Sequence, residues 1–204
     1  FVVWLSHDLK RNLSPVIGLG SRKAALEVIQ AVGGGAFADV ALERIFNLYS
    51  FKSIDKALIT EISYGAIRQR YFLDCWIDFL GKVSASKQPP LLRWLLHLGL
   101  YQIFKMERIP PAAAINTTVE LAKTHHLKNL APVVNGILRS ALRCKERGIS
   151  LPKSKNPSLE LAKNASIPLW LADELIVWKG VEDAHKIAQA LSLIHISEPT
   201  RRKH

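Results

Sequence analysis

Apolar residues recur at intervals of three and four along most of the chain, which is the spacing of helices that bury one side. The clearest stretches are RKAALEVIQAV at 22–32, DKALITEISYGAIRQR at 55–70 and VVNGILRSALR at 133–143. No stretch alternates apolar and polar residues convincingly, so the pattern predicts no β-sheet. The chain is therefore predicted to be all-α.

Glycine and proline divide the predicted helices. Three glycines at 33–35 end the first one, and proline pairs at 89–90 and 110–111 open later ones, because proline is tolerated in a first helical turn. The stretch LLRWLLHLGLYQIF at 91–104 is apolar on nearly every side, which predicts a central buried helix. Its polar positions recur every four residues and are predicted to form one stripe that reaches the surface: Arg93, His97, Tyr101 and Lys105. We expect His97 to be structural rather than functional.

Changes in composition divide the chain into segments. Residues 21–147 are predicted to form one helical domain, and the status of residues 1–20 is left open. Residues 148–157, GISLPKSKNP, are rich in proline, lysine and serine and predict a linker. Residues 158–191 predict a short helical extension whose tryptophans, Trp170 and Trp178, are expected to pack against another surface.

The last segment, residues 192–204, does not fit the rest. Its sequence LIHISEPTR resembles the product of translated sequencing-adapter DNA. Together with the absence of an initiator methionine, this predicts a non-native tail on a fragment of a longer reading frame. The basic residues of this tail are therefore left out of the functional argument.

The charge balance favours an acidic partner. There are 28 lysines and arginines against 17 acidic residues, a formal net charge of +11. Nucleic acid is the commonest partner of such a chain, and an acidic protein is the alternative. No convincing signal peptide or membrane-length apolar run is present, and Cys75 and Cys144 fit reduced thiols, so a cytoplasmic location without a membrane is predicted. The sequence has neither the spacing of a metal site nor a common catalytic motif, so no metal and no catalytic residue are predicted.

Arginines at a spacing of four give the most suggestive basic surface. Arg139, Arg143 and Arg147 would share one face of a helix and could bind phosphates, although a merely solvated face is the alternative. Four further basic residues at helix ends are candidate RNA contacts: Arg22, Lys23, Arg68 and Arg70.

Two asparagines interrupt apolar helical phrases. Asn116 lies in IPPAAAINTTVELAK at 109–123, and Asn135 lies in LAPVVNGILRSALR at 130–143. Since an unpaired buried amide costs about 1–3 kcal/mol, both are predicted to be structural and to tie helix ends or neighbouring helices together, with direct RNA contact as the alternative. Gly136 is predicted to allow a close backbone approach.

Several of these phrases, in order, resemble the NusB-like domain at the front of RsmB-type (Sun/Fmu) ribosomal RNA cytosine-5 methyltransferases. They are GGAFADVAL, DKALITEISYGAIRQRYFLDCWI, LLRWLLHLGLYQIFKMERIPPAAAINTTVELAK and VVNGILRSALR. The resemblance covers about residues 21–147, and NASIPLWLADEL resembles the connector that follows this domain. It implies two small crossed helical bundles that bind structured, ribosomal RNA and serve rRNA processing.

The same resemblance implies a partner domain in cis. Such enzymes need a methyltransferase domain that binds S-adenosylmethionine, with cysteines in proline-cysteine and threonine-cysteine settings, and neither Cys75 nor Cys144 matches them. We therefore expect this chain to be non-catalytic by itself, without a cofactor, and to be part of an S-adenosylmethionine-dependent enzyme.

Two other functions remain open at this stage. A free-standing NusB-type antitermination factor would regulate transcription by binding RNA and a ribosomal protein, but it would be expected to end near Arg147. A helical adaptor that binds only proteins would use the basic face against an acidic partner.

Overall fold

A computed structural model of the chain describes residues 18–125 and 127–194, and the predictions for residues 1–17 and 195–204 lie outside that part. The described residues form α-helices and two single-turn 3₁₀ helices, with no strand among them. The helices are α1 (Leu19–Gly33), α2 (Ala38–Leu48), α3 (Ser53–Arg68), α4 (Arg70–Leu80), α5 (Pro90–Lys105), α6 (Pro111–Thr124), α7 (Ala131–Glu146), α8 (Pro157–Ala165) and α9 (Leu169–Ile194). The all-α prediction is confirmed.

Most helix boundaries follow the residues that predicted them. Helix α1 ends in the glycine run, with Gly34 as its C-cap, and α5 and α6 each begin on the second proline of a pair. Helix α8 begins at Pro157, and the Asn156 side chain accepts hydrogen bonds from the backbone N–H groups of Ser158 and Leu159. This N-cap satisfies two donors that the first turn would otherwise leave unpaired.

Helix α5 lies where two helical bundles meet. Helices α1, α2 and α3 pack together, α6 and α7 pack on each other and on α5, and α4 contacts both α5 and α7. Helix α5 also contacts α1 and α3, so it takes part in both groups. Four of its leucines are completely buried in one continuous core: Leu95, Leu96, Leu98 and Leu100. The prediction of a central buried helix is confirmed.

Two glycines allow the closest contacts of this core. A Cβ on Gly99 of α5 would lie 2.8 Å from Cδ2 of Leu138 of α7, and a Cβ on Gly65 of α3 would overlap the ring of Tyr101. The prediction of a close approach at Gly136 is wrong, because a Cβ there would meet nothing within 4 Å.

The polar stripe of α5 does not reach the surface as a whole. Arg93 is partly exposed and Lys105 is exposed, but His97 is completely buried and Tyr101 is 7% exposed. Both buried side chains have polar partners on other helices: His97 lies beside Asp74 of α4, and the hydroxyl of Tyr101 donates to Glu61 of α3 at 2.7 Å. The surface prediction is wrong at these two positions because partners from other helices satisfy groups that would otherwise need water.

Asp74 joins α4 to α5 through two side chains. Its Oδ1 atom lies 2.8 Å from Nε of Arg93 and 2.8 Å from Nε2 of His97. Nη2 of Arg93 donates a hydrogen bond to Oδ2 of Asp74. Burial raises the pKa of Asp74, but the hydrogen bonds from His97 and Arg93 outweigh burial and hold it below its ordinary value. Burial lowers the pKa of His97 despite its hydrogen bond to Asp74.

Helices α8 and α9 form a second, smaller cluster built largely from alanines, and α8 packs against α4. Helix α9 is interrupted at Gly180, whose φ of 76° lies in the left-handed region that glycine tolerates. Trp170 and Trp178 are 66% and 68% exposed, so their predicted packing partner is not among the described residues. No helix in this part of the chain is long and apolar enough to cross a membrane.

Candidate nucleic-acid interface

The outer face of α7 carries the predicted arginine ridge, in which Arg139 and Arg143 lie within the helix and Arg147 is its C-cap residue. All three are exposed, whereas Val134, Leu138 and Ala141 of the same helix are completely buried. Because residues four apart lie on one side of a helix, the buried face directs the three guanidinium groups together toward solvent.

Local hydrogen bonds orient two members of the ridge. Nε of Arg139 donates to Oδ1 of Asn135 at 2.9 Å, and Nη2 of Arg143 donates to Oγ of Ser140 at 2.7 Å. None of the three ridge arginines forms an ion pair, with a nitrogen–oxygen distance of 4.0 Å or less, with a carboxylate in the described part of the chain. Their charges are therefore available to an external anion, and a guanidinium can bind a phosphate through two parallel hydrogen bonds.

Lys145 fixes the ridge to the rest of the domain. Its Nζ atom donates to the backbone oxygen of Ile103 at 2.6 Å, near the C-terminal end of α5. A lysine is favourable at that end because the last carbonyls of a helix carry partial negative charge. Lys145 therefore stabilises the C-terminal end of α5, while its neighbours in sequence face solvent.

The two asparagines differ from their predicted structural role. Asn116 is exposed and its side chain makes no hydrogen bond within the described residues, so the prediction that it ties helices together is wrong. Asn135 is half-buried, and its bond to Arg139 lies within one helix. Asn116 fails the prediction because it lies on the side of α6 opposite the buried residues Ala114, Ile115, Thr117 and Thr118.

Arg22 is placed differently from the other predicted RNA contacts. It is only 5% exposed, Nε donates to Oε1 of Gln102 at 2.7 Å, and Nη1 donates to the backbone oxygen of Gly18 at 3.1 Å. Burial lowers its pKa. The guanidinium is used inside the fold, and this placement corrects the expectation that Arg22 faces an external phosphate.

Lys23, the next predicted contact, is half-buried on α1. It lies one helical turn from Glu27, where burial raises the pKa of the carboxyl group and the charge of Lys23 opposes that shift. Part of the positive charge of Lys23 is therefore balanced inside the same helix.

The remaining predicted contacts meet at the corner between α3 and α4. Arg68 ends α3, Arg70 begins α4, and Gln69 alone separates them. Arg70 is exposed, and the central carbon of its guanidinium lies 5.0 Å from the ring centre of Tyr71. Sequence reasoning missed Tyr71, although an aromatic residue directly after two closely spaced arginines is a recognisable signal.

The described residues hold no metal cluster, and their two cysteines are partly buried. No group of three or more His, Cys, Asp or Glu side chains that could hold a metal ion occurs among residues 18–125 and 127–194. Cys75 and Cys144 are both free and partly buried, and burial is the main cause that raises the pKa of Cys75, which keeps this thiol protonated. The positive surfaces on α7 and at the α3–α4 corner are the candidate sites for an anion.

Comparison with known proteins gives one family and a set of relatives. The sequence pattern of the NusB family matches residues 20–143. A protein of Synechocystis sp. called probable ribosomal RNA small subunit methyltransferase B is 35% identical over 156 residues, which are 76% of this chain and 34% of that protein. A protein of Bacillus subtilis with the same name is 34% identical over 180 residues, which are 87% of this chain and 38% of that protein.

The chain therefore spans about a third of the length of these curated relatives. Among solved structures, the crystal structure of PH0851 superimposes with a TM-score of 0.65 at 14% identity, over 90% of this chain and 39% of that one. At that identity, the likeness concerns the fold alone.

Proposed function

The chain belongs to the NusB family, and from this premise we propose that it is the RNA-binding accessory domain of a ribosomal RNA (cytosine-5) methyltransferase. In this proposal the domain holds small-subunit ribosomal RNA and does not itself transfer a methyl group. The names of the two relatives, which both refer to methylation of small-subunit ribosomal RNA, support this choice of target.

The arginine ridge of α7 is the observation that carries the proposal. Two exposed arginines of α7 and a third at its C-cap follow one face of the helix, and the opposite face carries the completely buried Val134, Leu138 and Ala141. Like charges at this spacing cost a few tenths of a kcal/mol per pair, and the carboxylates of the described residues do not offset that cost by pairing with them. Binding to a row of RNA phosphates would offset the repulsion among the arginines and would release counterions from the RNA.

We include the α3–α4 corner in the interface and leave Arg22 out. Arg68 and Arg70 form a second positive surface at the corner where α3 ends and α4 begins. Arg22 instead holds Gln102 inside the core. Lys23 stays a weaker candidate because Glu27 partly balances its charge.

In this proposal the methyl transfer belongs to a separate domain of a longer protein. The described residues contain no strand, so they supply no sheet of the kind that binds S-adenosylmethionine in a Rossmann-like domain. The exposed Trp170 and Trp178 on α9 fit a contact with that domain in cis, and the protein would work in the cytoplasm, where ribosomal RNA is modified.

Two alternative functions fit the described residues less well. A free-standing antitermination factor would regulate transcription with a ribosomal protein as its partner, and it has no use for α8, α9 and their exposed tryptophans. A protein-binding adaptor would use the same guanidinium groups against the carboxylates of an acidic protein, whereas the names of the relatives favour RNA.

The test is a fluorescence titration of this chain against fragments of small-subunit ribosomal RNA, with tRNA as a control of similar charge. We expect a ribosomal fragment to bind at least about tenfold more tightly than tRNA at 0.15 M salt, a difference of about 1.4 kcal/mol. Equal binding of every fragment and tRNA would contradict a specific role, and no binding even at low salt would contradict RNA binding altogether.

A further inference from the structure

Tyr71 is an aromatic residue that the core does not use. The chain has four tyrosines, and Tyr49, Tyr64 and Tyr101 belong to the main hydrophobic cluster or pack against it. Tyr71 packs against neither of the two hydrophobic clusters, and it remains partly exposed in the first turn of α4. Its ring is therefore a planar apolar surface at the protein–water boundary.

Two arginines lie near this ring in the described part of the chain. Arg70 lies over it at 5.0 Å, and Nη2 of Arg70 lies 3.4 Å from the Tyr71 hydroxyl. Arg93 of α5 interacts with Tyr71 electrostatically, and it also lies 5.5 Å from the ring of Trp94. Asp74, one turn after Arg70 on α4, is hydrogen-bonded to Arg93 and His97 and makes no ion pair with Arg70.

The two arginines differ in how free they are to leave their aromatic neighbours. Arg93 is held in place by two hydrogen bonds to Asp74. Arg70 is exposed and makes no ion pair with a described carboxylate, so its guanidinium can swing away from the ring.

The relative strengths of the two interactions favour replacement of the Arg70 guanidinium by a nucleic-acid base on the Tyr71 ring. An exposed cation–π contact is weaker than the stacking of a base on an aromatic side chain. Arg70 would also gain a charge-assisted bond to the phosphate of the same nucleotide. The ring can therefore take a base while the arginine takes the phosphate.

We propose that Tyr71 is a stacking site for an unpaired base of single-stranded RNA, with Arg70 and Arg68 as ligands of the adjoining phosphates. This inference rests on the proposed RNA-binding function and goes beyond it, because it assigns a preference for loops or bulges to the α3–α4 corner. Helix α7 itself contains no aromatic residue, so the arginine ridge would bind phosphates whatever the pairing state.

The experiment compares two RNAs of equal length and charge: a fully paired duplex and a stem with an unpaired loop that contains 2-aminopurine. Tyr71→Leu removes the ring, and Tyr71→Phe keeps it. For wild type and Tyr71→Phe we expect tighter binding of the looped RNA and quenched 2-aminopurine fluorescence. For Tyr71→Leu we expect the affinity for the looped RNA to fall between about 5-fold and 100-fold, with loss of quenching, while the affinity for the duplex changes less than about twofold.

The outcomes separate the two proposals. If both RNAs bind and Tyr71→Leu changes neither affinity nor quenching, the stacking site is overturned and the RNA-binding function stands. If Tyr71→Leu weakens duplex and loop equally, with an unchanged circular-dichroism melting curve, the preference for unpaired bases is overturned. If neither RNA binds wild-type protein, both proposals are overturned.

Discussion

The Nε2 atom of His97 lies 2.8 Å from Oδ1 of Asp74, and the histidine side chain is completely buried between helices. Its other ring nitrogen, Nδ1, is buried without a hydrogen-bond partner. A neutral imidazole tolerates this arrangement, since Nε2 donates its proton to Asp74 and Nδ1 is only an unused acceptor. A protonated ring would leave a buried N–H donor unpaired, which agrees with the lowered pKa of His97.

We therefore expect stability to fall as the pH is lowered from about 7.5 to 5.5. Burial lowers the pKa of folded His97, so below its ordinary value near ~6.5 the unfolded chain binds more protons than the folded one. Stability then decreases toward acid by up to about 1.4 kcal/mol per pH unit. Urea unfolding at several pH values, compared between wild type and His97→Gln, measures the contribution of this residue.

Gln at position 97 can place an amide nitrogen where Nε2 of His97 now lies and has no proton to gain in this range. The variant should be less stable than wild type near neutral pH, with a flatter dependence of unfolding free energy on pH. If the unfolding free energies of the two proteins depended on pH identically, His97 would not be the cause of the loss of stability toward acid.

A second prediction concerns the contact between Gly65 and Tyr101. Gly65→Ala puts a Cβ into the Tyr101 ring, so the ring or α3 must move, and we expect a loss of about 1–3 kcal/mol in unfolding free energy. Gly136→Ala is the matched control, because a Cβ there faces open space within α7. That control should stabilise the protein by about 0.5–1 kcal/mol, as alanine is the better helix former.

Urea denaturation of both glycine variants gives the comparison directly. A neutral or stabilising effect of Gly65→Ala would contradict the close packing of α3 on α5. A loss of stability in Gly136→Ala would contradict its exposed position.

The sequence predicted where the helices lie, but not which polar residues on α1 and α5 would be buried. Periodicity and the proline pairs predicted α5 and its central burial, because those signals are local. The placement of Arg22 was not predictable, because its partner Gln102 lies 80 positions away in the sequence. On a helix that is apolar all round, nothing local distinguishes a polar residue that faces water from one that faces a buried partner.

The arginine ridge was predictable because the buried side of α7 is strongly apolar. Val134, Leu138 and Ala141 fix which side of that helix enters the core, so the opposite side must be exposed. Tyr71 illustrates the converse. An aromatic residue in a helical phrase is normally expected in the core, and only the packing of the folded chain reveals that it is unused there.

A third prediction separates the two asparagines. Asn135→Ala removes the acceptor that orients Arg139, and since the hydrogen bond is exposed, unfolding free energy should change by less than about 0.5 kcal/mol. RNA affinity should nevertheless fall about two- to fivefold, because Arg139 is no longer held before it binds. Asn116→Ala, an exposed change on the neighbouring α6, is the control and should alter neither property.

Unfolding curves and RNA titrations of these two variants measure the contribution of each asparagine to stability and to RNA binding. Equal affinities of Asn135→Ala and wild type would mean that the bond does not orient a functional arginine. A large loss of stability in Asn116→Ala would restore the structural role that its exposure argues against.

The most direct test of RNA binding by the ridge is the salt dependence of affinity for Arg139→Ala. One lost phosphate contact should reduce the slope of log affinity against log salt by about one unit and weaken binding to all RNA sequences alike. Arg44→Ala is the matched control, because Arg44 is also an exposed helical arginine but lies on α2, which contacts α1 and α3. We predict a reduced slope for Arg139→Ala and a wild-type slope for Arg44→Ala, and equal slopes for the two variants would contradict the account.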